Sequence, residues 1–289
     1  MLRDLIHRQQ GTVMTDNQPF LTFNDRVKAP QLGFGVFQID NDTASDAVAK
    51  ALEVGYRSVD TAAFYKNEEG VGEGMRRSAV PRSELFLTTK LWNGDHGFDA
   101  ALKAFEASLK KLGTDYLDLY LIHWPLPKQD RYVDSWKALI QLQGEGRVKS
   151  IGVSNFQPDH VQRLLQETGI VPAVNQIELH PDFIQRDVVA FNTRHNIVTE
   201  AWSPLGQGGD LLKNEKLLKM GASHDKSAAQ VILRWHIQRG HMVIPKSEHA
   251  DRIRENFAIF DFGLSDEELK AIDALDTGNR LGPHPDELN

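Results

Sequence analysis

The chain has 289 residues, 40% of them hydrophobic and 25% charged, and no cysteine, which excludes disulfides, thiolate nucleophiles and thiolate-ligated zinc or iron–sulfur centres. Lys and Arg total 33 against 40 Asp and Glu, a formal net charge of −7. That balance argues against general binding to nucleic acid or an anionic membrane surface, so any anion site must be a local basic cluster.

No apolar run approaches the ~20 residues that span a bilayer, and with the missing cysteines this fits a cytoplasmic protein. Residues Met1 to Asn17 are polar and mixed in charge, without the apolar core of a secretory signal, and Asp4 sits poorly in a transit peptide. They predict a disordered extension, residues 1–18, ahead of one domain at residues 19–289, with Met14 as the expected natural start. Phe20-Leu-Thr-Phe, the turn pair Asn24-Asp25 and Arg26-Val-Lys predict a hairpin. Apolar β-type runs then alternate with helical patterns. The runs are Leu32–Val36, Tyr56–Thr61, Leu85–Thr89, Leu117–Ile122, Val148–Val153, Ala173–Ile177, Ile197–Trp202 and Met242–Ile244. Between Thr43 and Val54, Ala47, Val48, Ala51 and Leu52 recur at helical spacing, with Gly55 where a terminating glycine belongs. Phe98–Leu112 before Gly113, Val161–Thr168 before Gly169, Gln230–Gln238 and His249–Phe257 read the same way. About eight strands, each followed by a helix in right-handed βαβ units, predict an α/β fold: a single (β/α)8 TIM barrel. No Pro/Gly-rich linker, compositional break or repeat divides it.

In such barrels the chemistry sits on loops that follow the strand C-terminal ends. Asp60 ends the second run, Tyr65 follows in its loop, Lys90 ends the third and His123 the fourth. Neighbouring strands lie about 4.8 Å apart, so these side chains can converge. Singly, each has an ordinary explanation: a capping acid, a packing ring, a solvated lysine, a structural histidine. Jointly, at three consecutive strand ends, they read as a proton-donor site. An unperturbed Tyr is a poor acid at neutral pH, and a buried Lys⁺ beside its hydroxyl lowers its pKa. Lys90 needs a carboxylate to stay charged, which Asp60 supplies, and His123 can orient and polarise a carbonyl.

These strings resemble the aldo-keto reductase superfamily from about Phe20 to Asn289. Gly55-Tyr-Arg-Ser-Val-Asp60-Thr-Ala-Ala-Phe-Tyr65-Lys-Asn-Glu-Glu69 is similar to its first signature. Leu121-Ile-His123-Trp-Pro125 and Ile151-Gly-Val-Ser-Asn155-Phe resemble the next two, and Ile244-Pro-Lys246-Ser247 with Arg252 and Glu255-Asn256-Phe resembles the cofactor-phosphate signature. The resemblance implies a (β/α)8 barrel with an N-terminal hairpin closing its bottom, and a lean towards monomers. It also implies a catalytic tetrad of Asp60, Tyr65, Lys90 and His123, with Tyr65 as general acid.

A dinucleotide must then supply hydride, yet no GxGxxG stands between a strand and a helix. Gly70-Val-Gly72-Glu-Gly74 breaks that spacing and is read as a helix start. TIM barrels often bind phosphate near strands seven and eight, at a helix N-terminus, and Lys246, Ser247 and Arg252 fall just past the eighth strand. In an acidic protein this cluster favours the extra phosphate of NADPH/NADP⁺ over NAD. By resemblance, Ser154, Asn155 and Gln176 would hold the nicotinamide carboxamide, and Ser203, Leu205, Glu255 and Asn256 would line the dinucleotide path. Trp202 stands where many members stack a Tyr on the nicotinamide, and Phe37 where animal members place a pocket Trp. Trp92 and Trp124 could complete an apolar wall. The short connection from Trp124 to Arg131 and the tail from Asp276 resemble the bacterial 2,5-diketo-gluconate and methylglyoxal reductase group.

These features predict an open, shallow pocket and reduction of small aldehydes, dicarbonyls or keto-sugar acids. A slow NADPH-binding redox-sensor subunit, like the potassium-channel β-subunits of the superfamily, is the alternative. A metal-dependent hydrolase would need a His/carboxylate ligand set, typically His-x-His. The 11 histidines hold no such pair, so no metal site is expected.

Overall fold

The computed structural model describes residues 18–288, so the expected extension and Met14 lie outside the described residues, apart from Gln18. Eight parallel strands follow one another in chain order: β3 (Phe34–Gly35), β4 (Ser58–Asp60), β5 (Phe86–Leu91), β6 (Leu117–Ile122), β7 (Val148–Ser154), β8 (Val174–Glu178), β9 (Val198–Trp202) and β10 (Met242–Val243). The last returns to the first through a parallel bridge between Leu32 and Val243, where the Gly33 N–H donates to the Val243 carbonyl at 2.8 Å. The sheet thus closes as the expected (β/α)8 barrel.

Ahead of it, β1 (Phe20–Thr22) and β2 (Lys28–Pro30) pair antiparallel. Phe23 meets Phe86 edge-to-face at 6.0 Å and joins Val174 and Met242 in an apolar cluster apart from the main core. Phe86, Val174 and Met242 each open their strands, so the hairpin seals the N-terminal end of the barrel. Asn24 reinforces this by donating to the carbonyls of Pro172 and Asn196. Chemistry is left to the other end.

The helices cover the outside. In α1 (Asn41–Val54) the buried residues are Ala44, Ala47, Val48, Ala51 and Leu52, the stripe a 3.6-residue period puts on one face. Gly55 ends it at φ 128°, donating to the carbonyls of Ala51 and Leu52. The remaining major helices are α2 (Glu68–Arg77), α3 (Phe98–Leu112), α4 (Tyr132–Gly144), α5 (Pro158–Thr168), α6 (Arg186–Arg194), α7 (Glu215–Ser223), α8 (Ala228–Gln238), α9 (Ala250–Phe257) and α10 (Asp266–Asp273). The glycine run expected to start a helix lies within α2, and close approach explains it. A Cβ on Gly72 would come within 2.3 Å of the Leu112 carbonyl of α3, and one on Gly74 within 2.7 Å of the Ser45 carbonyl of α1. Small residues let α2 wedge between its neighbours.

Two boundaries move for capping reasons. Helix α5 starts three residues before Val161 because Gln157 caps it with a reciprocal contact from His160, and Pro158 suits the first turn. Helix α8 starts at Ala228 because Ser227 and Gln230 form a capping box. The third strand also runs past Thr89 to Leu91, so Lys90 is an inner strand residue and not its end. No helix among the described residues is long and apolar enough to cross a membrane.

Candidate active site

Asp60 is the last residue of β4, Lys90 the fifth of β5, and His123 follows β6 directly. Tyr65 closes a single 3₁₀ turn, Ala63–Tyr65, after β4, and Lys66 beyond it takes the left-handed conformation at φ 57°. The parallel register places Asp60 beside Thr88 and Lys90 beside Leu121, bringing the four side chains to one mouth.

Lys90 is the hub. Its Nζ donates to Asp60 Oδ1 at 2.5 Å, to the Thr61 carbonyl at 3.0 Å and to Tyr65 Oη at 3.2 Å. Its side chain is 0% exposed and that of Asp60 3%, so an ammonium survives there because its donors find oxygen partners, foremost the Asp60 carboxylate. Burial pulls the lysine down, but Asp60 and then Tyr65 pull harder in sum, and it ends above its ordinary value. For Tyr65, Lys90 lowers the pKa as expected, but the net shift is upward. Burial of the hydroxyl outweighs the lysine, and the phenol ends above its ordinary 10.0. His123 lies well below its usual range, first from burial and then from the Lys90 charge, so it is a neutral imidazole at physiological pH. Its Nδ1 is buried without a hydrogen-bond partner.

The site is therefore a neutral phenol, a cation locked to a carboxylate, and a neutral imidazole 5.6 Å from the phenol ring, centroid to centroid. It can hand over a proton from Tyr65 Oη and compensate the resulting phenolate with Lys90 at once.

The four tetrad residues sit around one end of a cavity of about 1040 Å³. Lys90 lies behind its wall, and all the other site residues expected from the sequence line it. Phe37 lies 5.0 Å from the Tyr65 ring, and Trp92 lies 5.3 Å from His123. Trp124 is buried in the same wall. Phe64 was not among the expected residues, yet it stacks on Trp92 at 3.8 Å with 20° between planes, completing an aromatic mouth.

Further in, Ser154 and Gln176 sit side by side in the β7–β8 register, and the Ser154 hydroxyl donates to the Gln176 carbonyl at 2.9 Å. Asn155, left-handed at φ 64°, donates to the His123 carbonyl and accepts from the Trp202 indole at 2.8 Å. Its amide thus fixes the loop after β6 and the indole together. The indole also packs against Gly282 of the C-terminal tail, where a Cβ would come within 2.6 Å of it. The tail is tied there by Glu178, which accepts from the backbone N–H groups of Leu281 and Gly282 at 2.6 and 2.8 Å.

At the far end, past Ser203 and Leu205, Lys246, Ser247 and Arg252 gather where α9 begins, with Glu255 and Asn256 one turn on. Arg252 is exposed and in no ion pair among the described residues, whereas Lys246 meets Glu248 at 3.3 Å. Two cations, a hydroxyl and the first amides of a helix are a donor set that suits a phosphate. This cluster and the tetrad residues Asp60, Tyr65 and His123 line one continuous cavity, so the residues fit NADP(H). Among the described residues no group of three or more His, Asp or Glu side chains could hold a metal ion.

One further buried acid was not legible as a site residue. Glu200 in β9, 1% exposed, accepts from Gln176 Nε2 at 2.8 Å, and the same nitrogen donates to Asp60 Oδ2 at 2.9 Å. Burial, and then the Asp60 charge, push the Glu200 carboxyl from 4.5 up to about 8. The unfolded chain gives up this proton near 4.5 and the folded chain keeps it to about 8, so folding retains a proton across that window. The stability contribution therefore falls as pH rises through it. Glu200→Gln has no such titration and should gain stability relative to the parent between those limits. Thermal unfolding of both proteins across the window checks this, and a difference in Tm that stays constant with pH would contradict it.

The model of the aldo/keto reductase family matches residues 31–277. Methylglyoxal reductase DkgA of Escherichia coli K12 is 52% identical over 273 residues, covering 94% of this chain and 98% of that protein. Its Yersinia pestis namesake is 54% identical over 270 residues, 93% of this chain and 97% of that protein. Among solved structures, a Gox0644 mutant in complex with NADPH superposes with a TM-score of 0.91 at 48% identity, covering 94% of this chain and 99% of that one. An aldo/keto reductase from Brucella melitensis gives 0.87 at 55% identity, covering 89% and 98%.

Proposed function

The chain belongs to the aldo/keto reductase family and is an NADP(H)-dependent oxidoreductase, and on that premise we propose that it reduces small dicarbonyls of the methylglyoxal type with Tyr65 as the general acid. The observation that carries this reading is Lys90 Nζ held 3.2 Å from Tyr65 Oη by an ion pair to Asp60. Bound NADPH supplies the hydride. The protein supplies everything that makes the carbonyl accept it.

His123, neutral, donates a hydrogen bond to the substrate oxygen and fixes its angle. Tyr65 Oη donates a second and passes its proton to that oxygen as it becomes an alkoxide. A raised phenol pKa suits this role, since the proton stays put until a stronger base forms beside it. Lys90 then lies next to the phenolate, and Asp60 keeps the fully buried lysine charged. Phe37, Phe64, Trp92 and Trp124 offer a small apolar wall with few polar groups to select among side chains. That supports compact carbonyl compounds, with keto-sugar acids of the 2,5-diketo-gluconate type as further candidates. Ser154, Asn155, Gln176 and Trp202 are assigned to the nicotinamide end, and Lys246, Ser247 and Arg252 to the 2′-phosphate end. Residues 19–289 are read as a single domain.

An NADPH-oxidation screen across methylglyoxal, phenylglyoxal, 2,5-diketo-gluconate and simple aldehydes tests the substrate class. Turnover highest on methylglyoxal or phenylglyoxal is expected. Tight NADPH binding with negligible turnover on all of them would point to a redox-sensing role.

The phosphate assignment has its own test. Arg252→Ala removes a cation that NADH has no 2′-phosphate to meet. The KM for NADPH should rise about 10- to 100-fold, corresponding to ~1.4–2.8 kcal/mol from a charge-assisted contact. The KM for NADH should hardly change. Equal increases for both would remove the 2′-phosphate from Arg252.

A further inference from the structure

We propose that Glu200 is a positioning residue that aims the amide of Gln176 into the cofactor cavity and, once ionised, tilts that cavity towards the oxidised, positively charged nicotinamide. The inference rests on the NADP(H) reading above and goes beyond it by giving a role to a residue that does not touch the cavity.

The geometry is a short relay of contacts behind the wall. Gln176 lines the cavity and Glu200 does not. The two are direct partners in the β8–β9 register, so their side chains leave the sheet on the same face. The two hydrogens of Gln176 Nε2 are taken by Glu200 Oε2 at 2.8 Å and Asp60 Oδ2 at 2.9 Å. A flipped amide would set its oxygen against the Asp60 carboxylate. Oε1 is therefore turned away from Asp60, as an acceptor for a donor on the cavity side. Asp60 already serves Lys90 through its other oxygen. Glu200 thus links cofactor positioning to the proton-donor machinery through one amide.

Charge adds the second half. The groups facing Glu200 are Asp60 from β4, Lys90 from β5, Tyr65 from the turn after β4, and uncharged Gln176 from β8. Its register partner in β10 is apolar Met242. With Lys90 already paired to Asp60, the Glu200 carboxyl has no cation of its own, and it holds its proton to about 8. Oxidation of the bound nicotinamide brings a positive charge into the cavity. An ionised Glu200 favours that state, so NADP⁺ binding and loss of the Glu200 proton assist one another.

The test is the pH dependence of binding. Dissociation constants for NADP⁺ and NADPH are measured by calorimetry on the full chain, from about pH 6.5 to about pH 9.5. Their ratio cancels the shared 2′-phosphate and every group that senses only the phosphates. Binding of NADP⁺ should tighten relative to NADPH by about three- to tenfold over this range. Glu200→Gln should flatten the ratio, and Glu200→Asp, which restores a carboxylate, should recover the slope. A flat ratio in the wild type, or an unchanged slope in Glu200→Gln, overturns the proposal and leaves the reductase reading intact. Failure to bind either nucleotide overturns both.

Discussion

Tyr65→Phe should lose about 10²- to 10⁴-fold in kcat for NADPH-dependent reduction, the usual contribution of a positioned proton donor. The substitution removes one oxygen and leaves the ring that Phe37 and His123 pack against. It also leaves the Lys90–Asp60 pair intact, because Lys90 keeps its contacts to Asp60 Oδ1 and the Thr61 carbonyl. Folding and NADPH affinity should therefore stay close to the parent, which separates loss of a proton donor from loss of structure. Fluorescence titration with NADPH alongside steady-state turnover makes the measurement. Turnover within a few-fold of wild type would take the general acid away from Tyr65. Water or His123 could then be the donor, though a neutral histidine held well below its usual pKa makes a poor reservoir at physiological pH.

That the tetrad could be read from sequence follows from barrel geometry. Active groups must lie on or just after the C-terminal ends of the strands, and Asp60 and His123 stand where apolar runs stop. Lys90 shows the limit of that logic. Thr88-Thr89-Lys90 breaks the apolar run, so the strand seemed to end there, yet β5 continues because two of these polar side chains find partners: Lys90 pairs with Asp60, and Thr89, on the opposite face of the strand, donates to Glu68 of α2. Glu200 was hidden for the related reason that its strand reads as one more apolar run. A carboxylate inside a parallel strand buried on both faces was itself the clue, since such a group is rarely buried without a partner. The partner, Gln176, lies 24 residues away and only the register shows the pairing. Phe64 escaped because the chain shows a Phe beside Tyr65 without showing which way it points. The glycines of α2 escaped because periodicity does not identify what a helix packs against.

Lys90→Met should combine loss of activity with a large loss of stability. The lysine and Asp60 are both buried, and removing one partner of such a pair leaves an uncompensated charge, which costs about 3–5 kcal/mol. For a domain of this size that is a fall in Tm of roughly 6–20 °C. Adding Asp60→Asn to Lys90→Met removes the stranded carboxylate, and stability should largely return, because an uncharged pair of similar volume is often no worse than a buried ion pair. Activity should not return. Neither variant has a cation beside Tyr65 Oη to stabilise the phenolate formed as the proton leaves. Thermal unfolding and single-turnover reduction, run on both proteins, separate the two roles. If Lys90→Met melts with the wild type, the lysine is not charged in the resting protein, and the account of Tyr65 as an acid backed by a buried cation would have to be replaced.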